Sequence, residues 1–267
     1  MGALTDTFAA FLRKVFKAWP EQPTATDMNE LLRLLGRWRS LMLVNTYIQR
    51  EGTVIHSGIF KGMDYVQVAT EGALIPRLLG TYESELHPYL RGFAQQGLDC
   101  VIDIGCAEGY YAVGLARMMP EVTVYAHDID ENARKACAVL AAKNGVSERV
   151  KIGGEFKPTD FEGFAGRRVL VMIDAEGAEL DVLRPDLSPA LAQMSLIVET
   201  HDVVRPGAFQ EISRRFSPTH DLIRVDTGPK TFDMPGWLKD LNHLDQLLAV
   251  WEWRMMITPW LVMTPKA

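Results

Sequence analysis

Four carboxylates stand at the ends of four short apolar runs: Asp103 in Val101-Ile-Asp-Ile, Asp128 after Val122-Thr-Val-Tyr-Ala-His, Asp174 after Arg168 to Ile173, and Glu199 within Ser195 to Thr200. If those runs are parallel strands, the acids share one rim of a sheet, the rim at which open α/β sheets bind ligands. The first acid opens the segment Asp103-Ile-Gly-Cys-Ala-Glu-Gly109. Gly105 and Ala107 let the backbone approach a ligand closely, and Gly109 starts the next helix without a side chain in the way. One strand-helix-strand unit later, Asp128 is placed to accept both hydroxyls of a ribose. Together the two segments imply an adenosine-containing cofactor.

Glycine spacing chooses among such cofactors. A dinucleotide turn reads G-x-G-x-x-G and seats a pyrophosphate on a helix N-terminus. Here the spacing is Gly-x-Ala-x-Gly. Asp103 would repel a pyrophosphate but favours the ammonium of a methionine moiety, whose sulfonium is also cationic. The pattern therefore favours S-adenosylmethionine over NAD.

Transfer of a sulfonium methyl is an in-line displacement in which the protein positions an acceptor and, for an aliphatic hydroxyl, helps remove its proton. His201 is a candidate base. Alternatively, Asp174 with Glu199 or Asp202 holds a divalent cation, magnesium in the first instance, that orients and acidifies the hydroxyl. No dedicated ligand spacing supports the metal. Glu176 and Glu179 fall in the first turn of a predicted helix around Ala178 to Leu183, where acids favour the helix dipole without any catalytic role. His201 also reads as a satisfied histidine at a strand end.

The elements that must position these groups follow from periodicity. From Asp99 onward, β-rich runs alternate with helical ones, at Gly109 to Met119 and Glu131 to Lys143 among others, which implies βαβ units and a mostly parallel sheet with helices on both faces. Residues 1–97 read as a largely helical accessory or cap region, with the Rossmann-like domain spanning 98–267. The clearest helix there runs from Met28 to Gln49, followed by an irregular stretch containing Gly52, Gly58, Gly62, Gly72 and Gly80. Leu4 to Trp19 forms a basic amphipathic helix that suits packing on a partner helix better than a membrane surface. A second helix is expected from Leu238 to Trp253, flanked by Trp237, Trp251, Trp253 and Trp260, whose rings suit a sugar or ring substrate, a core or a homo-oligomer interface.

Bulk properties narrow the classes. The chain has 267 residues, 48% hydrophobic and 23% charged, with a formal net charge of −6, so no global positive field draws it to nucleic acid. Three cysteines, Cys100, Cys106 and Cys137, are odd in number and lack ligand spacing, which speaks against disulfides and structural zinc and for a reducing, cytoplasmic location.

The D-x-G-x-A/G-x-G segment with its following strand-end acid resembles the class I methyltransferases, and further stretches resemble the FkbM-type family within them. Asp174, Glu176, Gly177 and Glu179 match the D-x-E-G-x-E signature of that family, and Glu199-Thr-His201 is similar to its E-x-H strand end. The likeness covers Ile102 to His201, and Ala107 replaces the middle glycine. It implies a Rossmann-like fold and O-methylation of natural products or glycans. It also implies a residue near the methionine end of the cofactor just before the first strand, where Glu83 would pair with the ammonium. The expected cofactor set is then Glu83, Asp103, Gly105, Cys106, Ala107, Gly109, Asp128, Ile129 and Glu155, and the catalytic set Asp174, His201 and Glu199. The expected activity is methylation of a hydroxyl on a small molecule or glycan. N-methylation of a small molecule or protein is the alternative enzyme, and a noncatalytic cofactor-binding or membrane-surface scaffold the alternative class.

Overall fold

The computed structural model describes residues 2–67, 69, 72–254 and 256–266, with the backbone alone at 2 and 3. Seven strands form one sheet in the order β3-β2-β1-β4-β5-β7-β6. They are β1 (Cys100–Ile104), β2 (Thr123–His127), β3 (Val150–Gly153), β4 (Val169–Ile173), β5 (Ser195–Glu199), β6 (His220–Val225) and β7 (Trp260–Pro265). The first five pair in parallel, while β7 runs antiparallel to both β5 and β6. A parallel sheet must be covered on both faces, and the central strands show it: β1, β4 and β5 are buried along their whole length.

The two-residue period of a strand sorts their side chains into two cores. Cys100, Ile102, Ile104, Val169, Val171 and Ile173 face one side, where α7 (Glu179–Val182) and α8 (Ala208–Phe216) contribute Val182, Ile212 and Phe216. Val101, Leu170 and Met172 face the other. There they meet α5 (Tyr110–Met118), α6 (Glu131–Lys143) and apolar side chains of the N-terminal region.

That region is built on α1 (Gly2–Lys17) and α2 (Ala25–Glu51). A capping box starts α2, with the Thr24 hydroxyl accepting from the Asp27 N–H while the Asp27 carboxylate accepts from the Thr24 N–H. The apolar face of α1 docks on α2, Phe8 stacking on Trp38 at 5.8 Å between ring centroids. Two short helices follow, α3 (Leu74–Leu79) and α4 (His87–Ala94). Leu43, Tyr47, Phe60, Met63 and Leu78 lie in the same apolar cluster as α5 and β1, so the helical region and the sheet share one core. No helix among the described residues is long and apolar enough to cross a membrane.

The tryptophan-rich segment differs from expectation. In place of one helix from Leu238 to Trp253 there are two, α9 (Gly236–Lys239) and α10 (His243–Ala249). Asn242 interrupts the run by accepting the Asp245 N–H at 3.0 Å and so caps a new helix. The chain then leaves helical geometry, and Trp251 and Trp253 lie in an irregular segment leading to β7.

Candidate active site

The turn after β1 is shaped by its contact with β4. Gly105 has φ 82°, and a Cβ built there would lie 1.7 Å from the carbonyl oxygen of Asp174, so only glycine lets the two strand ends touch. Ala107 takes a left-handed conformation at φ 45° and donates its N–H to Asp128 Oδ2 at 2.9 Å, while Asp130 N–H donates to Oδ1 at 2.8 Å. Asp128 is thereby fixed at the end of β2 with lone pairs left for a ligand.

Three cavities meet at this turn, and Gly105, Ala107 and Asp174 line all of them. A trough of about 550 Å³ runs past Asp128, Ile129, Glu155 and Phe156. A narrow slot of about 30 Å³ is bounded by Arg77, Tyr82, Asp103, Cys106, Glu108 and Tyr111. A cleft of about 800 Å³ holds Asp174, Glu176, Glu199, His201, Arg37, Trp253 and Arg254. Among the described residues, the four non-glycine positions with positive φ are Glu83, Ala107, Glu176 and Trp253. Three of them line these cavities, and the fourth, Glu83, is salt-bridged to Arg254 of the cleft. Backbone strain of this kind persists only where the surroundings enforce it.

Asp103 is buried with its Oδ2 unpartnered, and burial raises its carboxyl to about 7, an effect the Ala112 N–H opposes and Asp128 reinforces. Beside it, the Arg77 guanidinium pairs with Glu108 at 3.2 Å and lies 4.3 Å from the centroid of the Tyr82 ring.

In the cleft, buried His201 has its Nδ1 2.8 Å from Glu179 Oε1, which also accepts the N–H groups of Ala175 and Gly177. An ionised carboxylate only accepts, so Nδ1 carries the proton. Nε2 is left facing Asp174 Oδ1 and Glu176 Oε2, both at 3.5 Å, with Glu199 Oε2 at 3.9 Å. Burial lowers the His201 pKa, but the Glu179 bond and the surrounding carboxylates outweigh it and the net shift is upward. Asp174 is raised well above the carboxylate range, by burial and then by Glu199 and Glu83, yet keeps 33% of its side-chain surface exposed to the cavities.

The expected site residues are therefore distributed unevenly. Asp103, Gly105, Cys106 and Ala107 line the slot, and Asp128, Ile129 and Glu155 the trough, Ile129 being 82% exposed. Gly109 lines none of the three cavities; at φ 96° it packs against Cys137 and caps α5. Glu83 is fully buried, held by Arg254 and the Tyr111 hydroxyl, and raised to about 8 by burial and by Glu199. Glu199 accepts from Arg254 and from the Thr258 hydroxyl at 2.6 Å. Arg254 also pairs with its near neighbour Glu252 at 3.0 Å, so one guanidinium gathers three carboxylates, two of them from distant segments. Asp202 accepts the N–H groups of Gly207 and Phe209 and lines none of the three cavities. Asp174, Glu176 and His201 offer ligand atoms within 4.8 Å of one another. Sequence reasoning missed Arg77, Glu108 and Arg254. Only Glu108, inside the glycine turn itself, carried a local signal.

The strand order, with its antiparallel seventh strand inserted beside β5, is that of the Rossmann-like class I S-adenosylmethionine-dependent methyltransferase fold. No protein-family model matches the chain, and no curated protein is similar to it. Solved structures similar to it include the O-methyltransferase TomG from Streptomyces achromogenes, involved in tomaymycin synthesis, in complex with SAM. Its identity is 13%, over 68% of this chain and 81% of that one, with a TM-score of 0.45. An O-methyltransferase from Bacillus cereus in complex with SAH shares 13% over 85% and 90%, with a TM-score of 0.46. An rRNA methylase from Streptococcus thermophilus shares 15% over 68% and 96%, with a TM-score of 0.45. At these scores the likeness carries no argument about the acceptor.

Proposed function

We propose that this chain is an S-adenosylmethionine-dependent methyltransferase acting on a hydroxyl of a small molecule or glycan. The observation that carries this is the junction of trough, slot and cleft at Gly105, Ala107 and Asp174, with His201 Nε2 facing the same cleft. The residues present fit the cofactor: Asp103 Oδ2 is a buried acceptor without a donor, and Gly105 and Ala107 line all three cavities at the turn. Asp128 would hold the ribose hydroxyls, Ile129 and Phe156 of the trough would flank the adenine, Asp103 would take the ammonium, and Arg77 would take the carboxylate. When bound, S-adenosylmethionine supplies an electrophilic methyl group. The chain's own part is to seat the acceptor in the cleft and remove its proton at His201 Nε2, with Glu179 fixing the tautomer and ring.

The FkbM-type resemblance gains support from the same bond, since Glu179 of one matching segment is hydrogen-bonded to His201 of the other at 2.8 Å. Residues 1–97 act in this reading as a cap over the acceptor, because α2 contributes Arg33 and Arg37 to the cleft. The three cysteines are free and buried, which suits a cytoplasmic setting. A second reading rests on Asp174, Glu176 and His201 as ligands of a divalent cation. It expects chelator to abolish turnover and magnesium to restore it, whereas the base reading expects no response to chelator.

Calorimetry tests the central claim. S-adenosylhomocysteine is expected to bind, with NAD showing no comparable affinity; NAD binding without the adenosyl compound would refute it.

A further inference from the structure

The cations that line the cleft differ in what they have to bind. Arg254 is saturated by Glu83, Glu199 and Glu252, and Arg77 is paired with Glu108. Arg37 has no carboxylate partner among the described residues, and its Nε is buried without an acceptor. Its guanidinium lies 5.4 Å from the centroid of the Trp253 ring. A buried guanidinium N–H left unsatisfied is costly, and the cost is removed when an acceptor is supplied.

Trp253 is held in place at comparable expense. Its φ of 64° is a left-handed conformation that a bulky side chain rarely adopts, yet it sets the indole into the wall of the cleft. The exposed side chains of Val203, Val204 and Met256 extend the apolar wall. Arg33 lies one helical turn before Arg37, on the same face of α2, and lines the same cleft. Carboxylates also line it, but Glu199 is paired with Arg254, and Glu252 with both Arg254 and Lys230. That leaves Asp174 and exposed Glu176, whose Oδ1 and Oε2 face His201 Nε2, while the charge beside the indole is the guanidinium of Arg37.

Resting on the methyltransferase reading above, we propose that the acceptor carries an oxyanion on an apolar ring-sized body, the oxyanion bound by Arg37 and the body lying against Trp253. A guanidinium fork beside an aromatic face is suited to a carboxylate, phosphate or sulfate group attached to such a body.

A matched pair of dyes tests this with the full chain saturated with S-adenosylhomocysteine. The anionic aryl sulfonate 1-anilinonaphthalene-8-sulfonate is compared with neutral N-phenyl-1-naphthylamine by fluorescence titration. Wild type is expected to favour the anion by about tenfold, and Arg37→Gln to lose about tenfold in anion affinity while the neutral dye stays within about twofold. Benzoate, phenyl phosphate and phenyl sulfate, used as displacers, assign which oxyanion the site prefers. Equal binding of the two dyes, no binding of either, unchanged anion affinity in Arg37→Gln, or failure of all three displacers would overturn the proposal. Calorimetric titration of S-adenosylhomocysteine alone separates the two levels. Absent binding there refutes the methyltransferase reading, whereas normal binding with no dye discrimination refutes only the oxyanion site.

Discussion

Asp103 ties cofactor affinity to pH in a way that can be worked from its surroundings. Its carboxyl is raised from 3.8 to about 7 by burial, and its Oδ2 has no donor. An ammonium bound beside it favours the ionised form, so binding below pH 7 must expel a proton. With a free-state value of about 7, affinity is expected to fall about tenfold between pH 8 and pH 6, about 1.4 kcal/mol. The ligand's own α-ammonium loses its proton at higher pH and sets the opposite limb, so the profile is a bell whose acid side belongs to Asp103. Calorimetry in buffers of different ionisation enthalpy should register release of roughly half a proton at pH 7.

Asp103→Asn removes the acid limb and weakens binding by about 1.5–3 kcal/mol through loss of a charged partner. The stability effect has the opposite sense. A carboxyl whose folded value lies above its unfolded one loses its stabilising contribution as pH rises from about 4 to about 7, up to an order of 4 kcal/mol. The ligand-free Asn variant should therefore melt above wild type at pH 8 and lose that advantage at pH 4. An acid limb that persists in Asp103→Asn, or no proton release in wild type, would refute the reasoning.

Asp128→Ala should weaken S-adenosylhomocysteine binding by about 1.5–3 kcal/mol in a folded protein, measured by calorimetry, and unchanged affinity would remove Asp128 from the site. Asp174→Asn should leave that affinity nearly intact while lowering turnover by about a hundredfold or more, and equal turnover would make Asp174 structural. Glu179→Gln removes the carboxylate that raises His201, so the acid limb of kcat should move to lower pH and kcat should fall by about tenfold to a hundredfold. An unmoved pH profile would separate Glu179 from the base.

What could be read ahead of the structure was local. Strand-end acids and the Gly105 turn are fixed within a few residues of chain, and the alternation of apolar runs with helical ones sufficed for the parallel half of the sheet. The antiparallel insertion of β7 could not be read, because its partners β5 and β6 lie earlier in the chain and pairing is set by tertiary packing. The same holds for Arg254, whose partner Glu83 is 171 residues away. Glu179 read as a dipole acid in the first turn of a short helix around Ala178 to Leu183; α7 stands there with Glu179 in its first turn, but the carboxylate is also bonded to His201, 22 residues away, which no local pattern shows. The segment from 238 to 253 carried helical periodicity that the capping side chain of Asn242 divides.

The place of β7 also bears on how the molecule comes into being. A chain emerging from its N-terminal side completes β1 to β4, with Asp103, Gly105, Ala107 and Asp128, well before residues 252–258 and β7 exist. Until then β5 has no neighbour on one side, and Leu196, Ile197 and Val198 form an open apolar edge of the sort that invites wrong pairing. A synthesis halted after β6 would thus yield a sticky fragment with a cofactor trough and an unfinished cleft, exposed to chaperones or proteases before it could turn over anything.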